Sequence, residues 1–394
     1  MGEDERWIEY ADVYHPRNPK DSPLWHLLDD HYEGFEQHYE ERFEREYGFF
    51  RPIISEVVRD YLKCGDLKVG FARVRCPECK YEYLLAFSCR GRWFCPSCHA
   101  KKVILFGEHL RNEVLFPVPH RHYVFSLPII IRRYFKYDRD LLSKLCNCVN
   151  ESLLTFLRTV IGLPDGLLGA VMAIHTFGDY AKKWFILAER GHPHIHLIVA
   201  DGLFTRNGTF YVMPRGIDLT PLAEIFRANV LSMLKKEGKI DDDLTPRKGV
   251  QVRMLMDWRH TSGFSVDNGV RITRDDDEGK EALAQYILRN PFSIEKLTYN
   301  EETGTVIYHS KMTHGKNKKN FEVFDAEEFI AAITQHIPEK SFQMVRYYGW
   351  YSNRSWGERA KDDQRSSDDS VQQPADIEIL DVSDYKPRRI PSKT

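Results

Sequence analysis

Cys76-Pro-Glu-Cys79 and Cys95-Pro-Ser-Cys98 are two CxxC knuckles separated by fifteen residues. A knuckle bends the backbone so that two thiolates face one ion, and two knuckles complete a tetrahedron around Zn²⁺. The separation lies in the zinc-ribbon range, which a redox CxxC explains for one knuckle but not for two. A small metal-stapled module is therefore expected within residues 64–99, with Cys76, Cys79, Cys95 and Cys98 as its zinc ligands. Four thiolates leave no open coordination position, so this zinc is structural. Cys64 and Cys89 lie in the same segment and read as two ordinary thiols. His99 reads as a surface imidazole, with a ligand exchange or a second site left open. Cys146 and Cys148 fall on an expected helix and read as packing residues.

Charge separates along the chain although the net charge is only -2. Residues 1–62 carry 7 Lys/Arg against 16 Asp/Glu, and residues 63–136 carry 14 against 5. A basic middle of this kind suits a polyanion, and it equally suits a solvated face beside an acidic one. Lys80, Arg90, Arg92, Lys101 and Lys102 surround the cysteines, with Tyr81, Tyr83 and Trp93 among them. These are the side chains that meet phosphates and stack on bases, and also those that build a small ribbon core. The acidic N-terminus has no apolar signal core and no run approaches the ~20 residues of a membrane span, so a cytoplasmic protein without disulfides is expected.

The second feature is Gly191-His-Pro-His-Ile-His196. Side chains alternate along a strand, so His194 and His196 share one face while Ile195 enters the opposite layer. Two imidazoles on one face of an apolar strand can grip a divalent ion and leave positions open for phosphate oxygens. His175 on the preceding expected strand is the first choice of third ligand and Asn290 the second, with His192 in the turn. A metal so held activates water or polarises a phosphodiester for a protein nucleophile. Tyr286, on a short helix stopped by Pro291, offers such a nucleophile, with Arg289 to stabilise developing negative charge. Taken alone it is one of twenty tyrosines, for which core packing is the default.

Pattern analysis gives amphipathic helices over residues 23–62 and 100–114 and a strand over His120–Leu127. Further helices are expected at Leu141–Ile161, Leu219–Glu237, Glu281–Leu288 and Phe324–His336. Strands follow at Leu168–Tyr180, Trp184–Ala188 and His194–Ala200, and hairpins at Asn207-Gly208 and across Thr298–His309. The expected division is an irregular segment 1–22, a helical zinc-binding DNA-binding domain 23–114, a nuclease domain 115–357 and a disordered tail 358–394. The fold class is α+β.

Several stretches together resemble the rolling-circle transposases of the insertion-sequence 91 group, within the HUH endonuclease superfamily. They are Cys64-Gly-Asp-Leu, Gly70-Phe-Ala-Arg-Val-Arg-Cys76, Leu85-Ala-Phe-Ser-Cys89, Phe94-Cys-Pro-Ser-Cys98, His192-Pro-His-Ile-His196, Ser262-Gly-Phe-Ser-Val266, Tyr286-Ile-Leu-Arg289 and Val345-Arg-Tyr-Tyr-Gly-Trp-Tyr-Ser-Asn-Arg354. The resemblance covers roughly residues 10 to 357. It implies a small zinc-ribbon-like domain, then a central antiparallel sheet carrying the histidine pair, flanked by helices. It implies Mg²⁺ or Mn²⁺ at His194 and His196, and attack by Tyr286 on single-stranded DNA at element ends and target, giving a 5′-phosphotyrosine link and a free 3′-hydroxyl. It implies a bacterial, nucleoid-associated enzyme, with homo-oligomerisation left open. Ala282 stands where some members carry a second tyrosine, and His175 where glutamine is expected. A plasmid or phage replication initiator or relaxase with the same chemistry, a metal-dependent hydrolase using water, and a non-enzymatic zinc-ribbon DNA-binding protein are the alternatives. Arg346–Arg354, aromatic and basic, reads equally as a DNA-channel wall or as a core strand end with its cap.

Overall fold

The computed structural model describes residues 18–91, 93–176, 193–240, 263–309, 320–366 and 379–381. The expected strand at 184–188, Arg92, His192, His260 and the lysines at 311, 316, 318 and 319 lie outside the described residues.

Helix α1 (Pro23–Arg42) starts where Pro23 fixes the first turn and Ser22 Oγ accepts the Trp25 amide. Its apolar positions, three and four apart, bury Leu24, Leu27, Leu28, Tyr32, Phe35 and Tyr39. After the single turn α2 (Glu44–Tyr47), helix α3 (Pro52–Leu62) buries Ile53, Ile54, Val57, Val58 and Tyr61 against the same core. The other half of that core comes from far along the chain. Strands β9 (Leu297–Asn300), β10 (Thr305–His309) and β11 (Phe321–Asp325) form an antiparallel sheet, and helix α9 (Ala326–Thr334) packs with it on α1. The acidic helical head and the segment 292–337 thus share one apolar core.

Between them the strands β1 (Phe71–Arg75) and β2 (Glu82–Ala86) pair as an antiparallel hairpin, and helix α4 (Pro96–His109) follows, ending in a wider π-type turn, Leu110–Val114.

The larger core is built on a five-stranded antiparallel sheet of order β12-β4-β5-β3-β8. Its strands are β3 (His120–Ser126), β4 (Gly169–His175), β5 (His194–Ala200), β8 (Ser265–Ile272) and β12 (Val345–Gly349). Helices α6 (Asp140–Ile161) and α7 (Thr220–Lys236) cover one face, which buries Ile195, Leu197 and Val199 with Met172, Ile174, Tyr123 and Phe125. Cys146 and Cys148 pack there as buried free thiols. Helix α5 (Ile129–Tyr137) leads into α6. A small ribbon, β6 (Gly202–Phe204) and β7 (Phe210–Val212), follows β5 and turns at Gly208, whose φ is 92°. The buried Asp201 carboxylate ties the sheet together by accepting from Arg121 Nε and Arg271 Nε, both at 2.6 Å. At the end of β12, Gly349 (φ 58°) lies where a Cβ would come within 1.8 Å of Leu168 O, so only glycine fits.

Helix α8 (Asp277–Ile287) lies on the opposite sheet face, where Leu283, Ala284 and Ile287 pack with Val171, Ala173 and Ile198. It begins a turn earlier than the sequence pattern suggests, because Asp276 accepts the Gly279 amide as its cap. The segment expected to be irregular from 358 differs in two places. Helix α10 (Asn353–Ser366) runs through that boundary, and β13 (Ile379–Asp381) pairs in parallel with β7.

Two buried imidazoles away from the histidine pair make stability sensitive to acid. Burial pushes His120 and His336 down to about 3. The unfolded chain takes up a proton on each near pH 6.5, whereas the folded chain resists until about 3. Their stabilisation is therefore complete above pH 6.5 and is lost as pH falls toward 3. At pH 5 each costs about 2 kcal/mol relative to pH 7.5. Urea melts at the two pH values should show that drop, and a His120→Gln, His336→Gln chain should show less of it.

Candidate active site

The hairpin decides which thiols meet. Gly65 N donates to Phe87 O and Phe87 N to Gly70 O, both at 3.0 Å, so the two hairpin ends close on each other and bring Cys64 beside Cys89. Cys95 caps α4 and Cys98 lies in its first turn. The Sγ atoms of Cys64, Cys89, Cys95 and Cys98 all lie within 4.8 Å of one another, with Cys64–Cys98 and Cys89–Cys98 at 3.7 Å and Cys64–Cys95 at 3.9 Å. A tetrahedral Zn–S site has an S···S edge of about 3.8 Å. Backbone amides of Cys89 and Gly91 donate to Cys64 Sγ and Cys89 Sγ. Contact with Cys64 holds the Cys98 thiol low and pushes Cys89 and Cys95 up, while contact with Cys89 draws Cys64 down to about 7. So close a nest ionises fully only around a cation.

This revises the expected ligand set. Cys76 and Cys79 do not join Cys95 and Cys98; they lie at the hairpin tip, beyond five-residue strands that carry them roughly 16 Å from its base. Cys64 and Cys89, read as ordinary thiols, take their places. His99, read as a surface imidazole, is buried at 2 % exposure and packs against Trp93, with ring centroids 4.7 Å apart and planes tilted by 45°. Of the ring aromatics, Phe94 and Trp93 are buried while Tyr81 is 66 % exposed.

The histidine pair lies on β5, the middle strand of the sheet, as strand alternation requires. Across the ladder His194 pairs with His175 and His196 with Ala173. Opposed residues share a face, so ligand atoms of His175, His194 and His196 lie within 4.8 Å of one another. His175 Nε2 donates to Ile287 O at 2.7 Å, which leaves Nδ1 as its other ring nitrogen. His196 Nδ1 bonds His122 Nε2 at 2.8 Å, and its Nε2 is buried with no hydrogen-bond partner among the described residues. A buried, unpartnered imidazole nitrogen facing two further imidazoles fits a divalent cation. Burial, reinforced by the neighbouring imidazoles, holds His175 and His196 well below the ordinary histidine range, so they stay neutral as ligands must. Asn290, the other third-ligand candidate, buries both amide atoms without a hydrogen-bond partner among the described residues.

Tyr286 projects from α8 over this group. Its ring meets His196 at 5.6 Å and His122 at 5.7 Å, edge-on, and the Arg289 guanidinium lies 4.9 Å over it. The residue is 43 % exposed, unlike a core tyrosine. His122 is the participant that sequence reasoning passed over. It stacks on His196 at 5.0 Å with planes 8° apart. Its signal was present: His120-Arg-His122 has the same alternation as His194-Ile-His196.

Both regions match known protein families. A family model described as "Putative transposase" matches residues 169–359, which contain the histidines of β4 and β5 and Tyr286. A second, described as "Transposase zinc-binding domain", matches residues 34–127, which contain the cysteine cluster. The transposase for insertion sequence element IS801 of Pseudomonas savastanoi pv. phaseolicola is 27 % identical over 323 residues, covering 79 % of this chain and 74 % of the relative. Putative transposase y4qJ of Sinorhizobium fredii is 26 % identical, over 74 % of this chain and 72 % of its own. No solved structure matches. The chain thus carries, in this order, a region matching a transposase zinc-binding domain and a region matching a putative transposase, and is similar over most of its length to an insertion-sequence transposase.

Proposed function

We propose that the chain cuts and rejoins single-stranded DNA in rolling-circle transposition, with Tyr286 as the attacking group. The observation that carries this reading is the half-exposed Tyr286 ring packed edge-on against His196, whose Nε2 is the buried nitrogen left for a cation. The phenol Oη attacks the scissile phosphorus, the P–O3′ bond breaks, the phenolic proton leaves, and the departing 3′-oxygen takes up a proton. The product is a 5′-phosphotyrosine with a free 3′-hydroxyl. Reversal on a second strand end rejoins DNA.

His175, His194 and His196 would hold Mg²⁺ or Mn²⁺, which supplies Lewis-acid polarisation of a phosphoryl oxygen. His122 fixes the ring of His196 through Nδ1, and Arg289 stabilises negative charge on the phenolate and phosphorane oxygens. No helix among the described residues is long and apolar enough to cross a membrane.

A cleft of about 790 Å³ supports the DNA reading. It is lined by Trp93, Lys102 and Phe106 from the zinc-module side, by Phe342 and Met344 ahead of β12, by Arg346 and Tyr347 on β12, and by Leu288. None of the described residues that line it is acidic. In the stretch from 346, Arg346 and Tyr348 line the cleft, while Trp350 and Tyr351 are buried just past the strand.

The test is covalent trapping of the full chain on labelled DNA with Mn²⁺. A denaturation-resistant adduct should form on single-stranded element ends, and digestion should map the nucleotide to the peptide containing Tyr286. Adduct on another residue, or strand cutting with no adduct, overturns the reading.

A further inference from the structure

The two metal-binding centres grip the same short stretch of backbone. His175 Nε2 donates to Ile287 O at 2.7 Å, and His99 Nε2 donates to Leu288 O at 2.6 Å. These are consecutive carbonyls at the C-terminal end of α8, one and two residues beyond Tyr286. A helix end leaves its last carbonyls without intrahelical partners, and here imidazoles of two different centres satisfy two of them. His99 follows Cys98 directly, in the first turn of α4, the turn that the cysteine cluster pins.

Helix α4 continues along α8 from there. Gly107 lies so close that a Cβ would stand 3.0 Å from Glu281 Cγ and 3.1 Å from Gln285 Cγ. One turn further, Arg111 Nη1 donates to Glu281 Oε2 at 2.9 Å. Contacts therefore run along the second half of the tyrosine helix, from Glu281 near its middle to Leu288 at its C-cap.

We infer that His99 is a positioning residue, through which the cysteine module fixes the end of α8 and with it the aim of Tyr286. The inference rests on Tyr286 being the attacking group. The module then does more than contact DNA: its integrity sets the rate of phosphoryl transfer. His99 touches no reacting atom, so its loss should act on the chemical step and spare affinity for DNA.

The test compares full-length wild type with His99→Leu, which removes the donor, and His99→Gln, which restores one. Gly107→Leu, which wedges α4 from α8, is the second probe. Hydrogen–deuterium exchange of peptides spanning residues 281–289 is read first, without DNA or added divalent cation, alongside zinc content. His99→Leu and Gly107→Leu should keep their zinc and exchange about tenfold faster there, with His99→Gln near wild type. Single-turnover adduct formation on saturating single-stranded DNA should fall about tenfold in the same two variants, with Kd for DNA within twofold. Unchanged exchange in both variants overturns the inference. So does faster exchange with a wild-type adduct rate, which makes the contact merely structural. A wild type that forms no adduct while exchange still responds keeps the clamp and discards Tyr286 as nucleophile.

Discussion

Replacing Tyr286 with phenylalanine should remove the covalent adduct and slow strand cutting by on the order of 10³-fold or more, with DNA affinity unchanged. The change deletes one oxygen from a residue that is 43 % exposed and leaves its ring against His122 and His196, so packing and melting temperature should hold. The size of the effect follows from what else is within reach. Ala282, one turn earlier on α8, has no hydroxyl to substitute. Gel resolution of labelled DNA after denaturation, with wild type and variant side by side, gives both rate and adduct. Cutting that survives in the variant without adduct would mean that water attacks, and the histidine centre would belong to a hydrolase. A chain changed to alanine at both His175 and His196 should lose adduct as well, together with its response to Mn²⁺. In that variant the tyrosine is intact, so the two losses are separable.

Where repeating chemistry leaves a repeating pattern, the sequence predicts the structure well. The alternation in His194–Ala200 specifies both the strand and the shared face of the histidines, and β5 carries them as expected. Helices α6 and α7 match their apolar periodicity to within a residue. Strand β8 escapes the same analysis because it buries little, is interrupted by Asn268-Gly269 and, among the described residues, pairs only to β3, through a bulge. His122 escapes because its role is set across the ladder: it bonds His196 on the neighbouring strand, 74 residues away. The third ligand candidate, His175, lies opposite His194 on the paired strand β4. What pattern cannot supply is which distant segments meet. The sharing of one core by α1, α3 and residues 292–337 is such a case, and His99 on Leu288 is another.

The cysteines show this most sharply and yield the second large effect. A Cys64→Ser chain should lose its zinc, and a chain with both Cys76→Ser and Cys79→Ser should keep it. Spacing alone favours the two knuckles, but spacing assumes that the intervening fifteen residues loop back. Here they hold the returning strand β2, which carries the chain from the hairpin tip back to its base, so Cys76 and Cys79 stay at the tip while the base, flanked by Cys64 and Cys89, faces Cys95 and Cys98. Structural zinc contributes about 10–16 kcal/mol of binding free energy at neutral pH, nearly all of it available to folding. Loss of even about 4 kcal/mol lowers Tm by roughly 10 °C in a unit of this size. Metal analysis of the dialysed proteins and thermal melts decide the matter together. The Cys64→Ser chain should melt well below wild type, with zinc near zero per chain. The hairpin-tip double variant should match wild type in both. The opposite result would require the tip to fold back onto α4, which the five-residue register of β1 on β2 forbids without unpairing the hairpin. Because α4 also carries His99, the Cys64→Ser chain should lose adduct formation in step with its zinc, although every residue of the histidine centre is untouched.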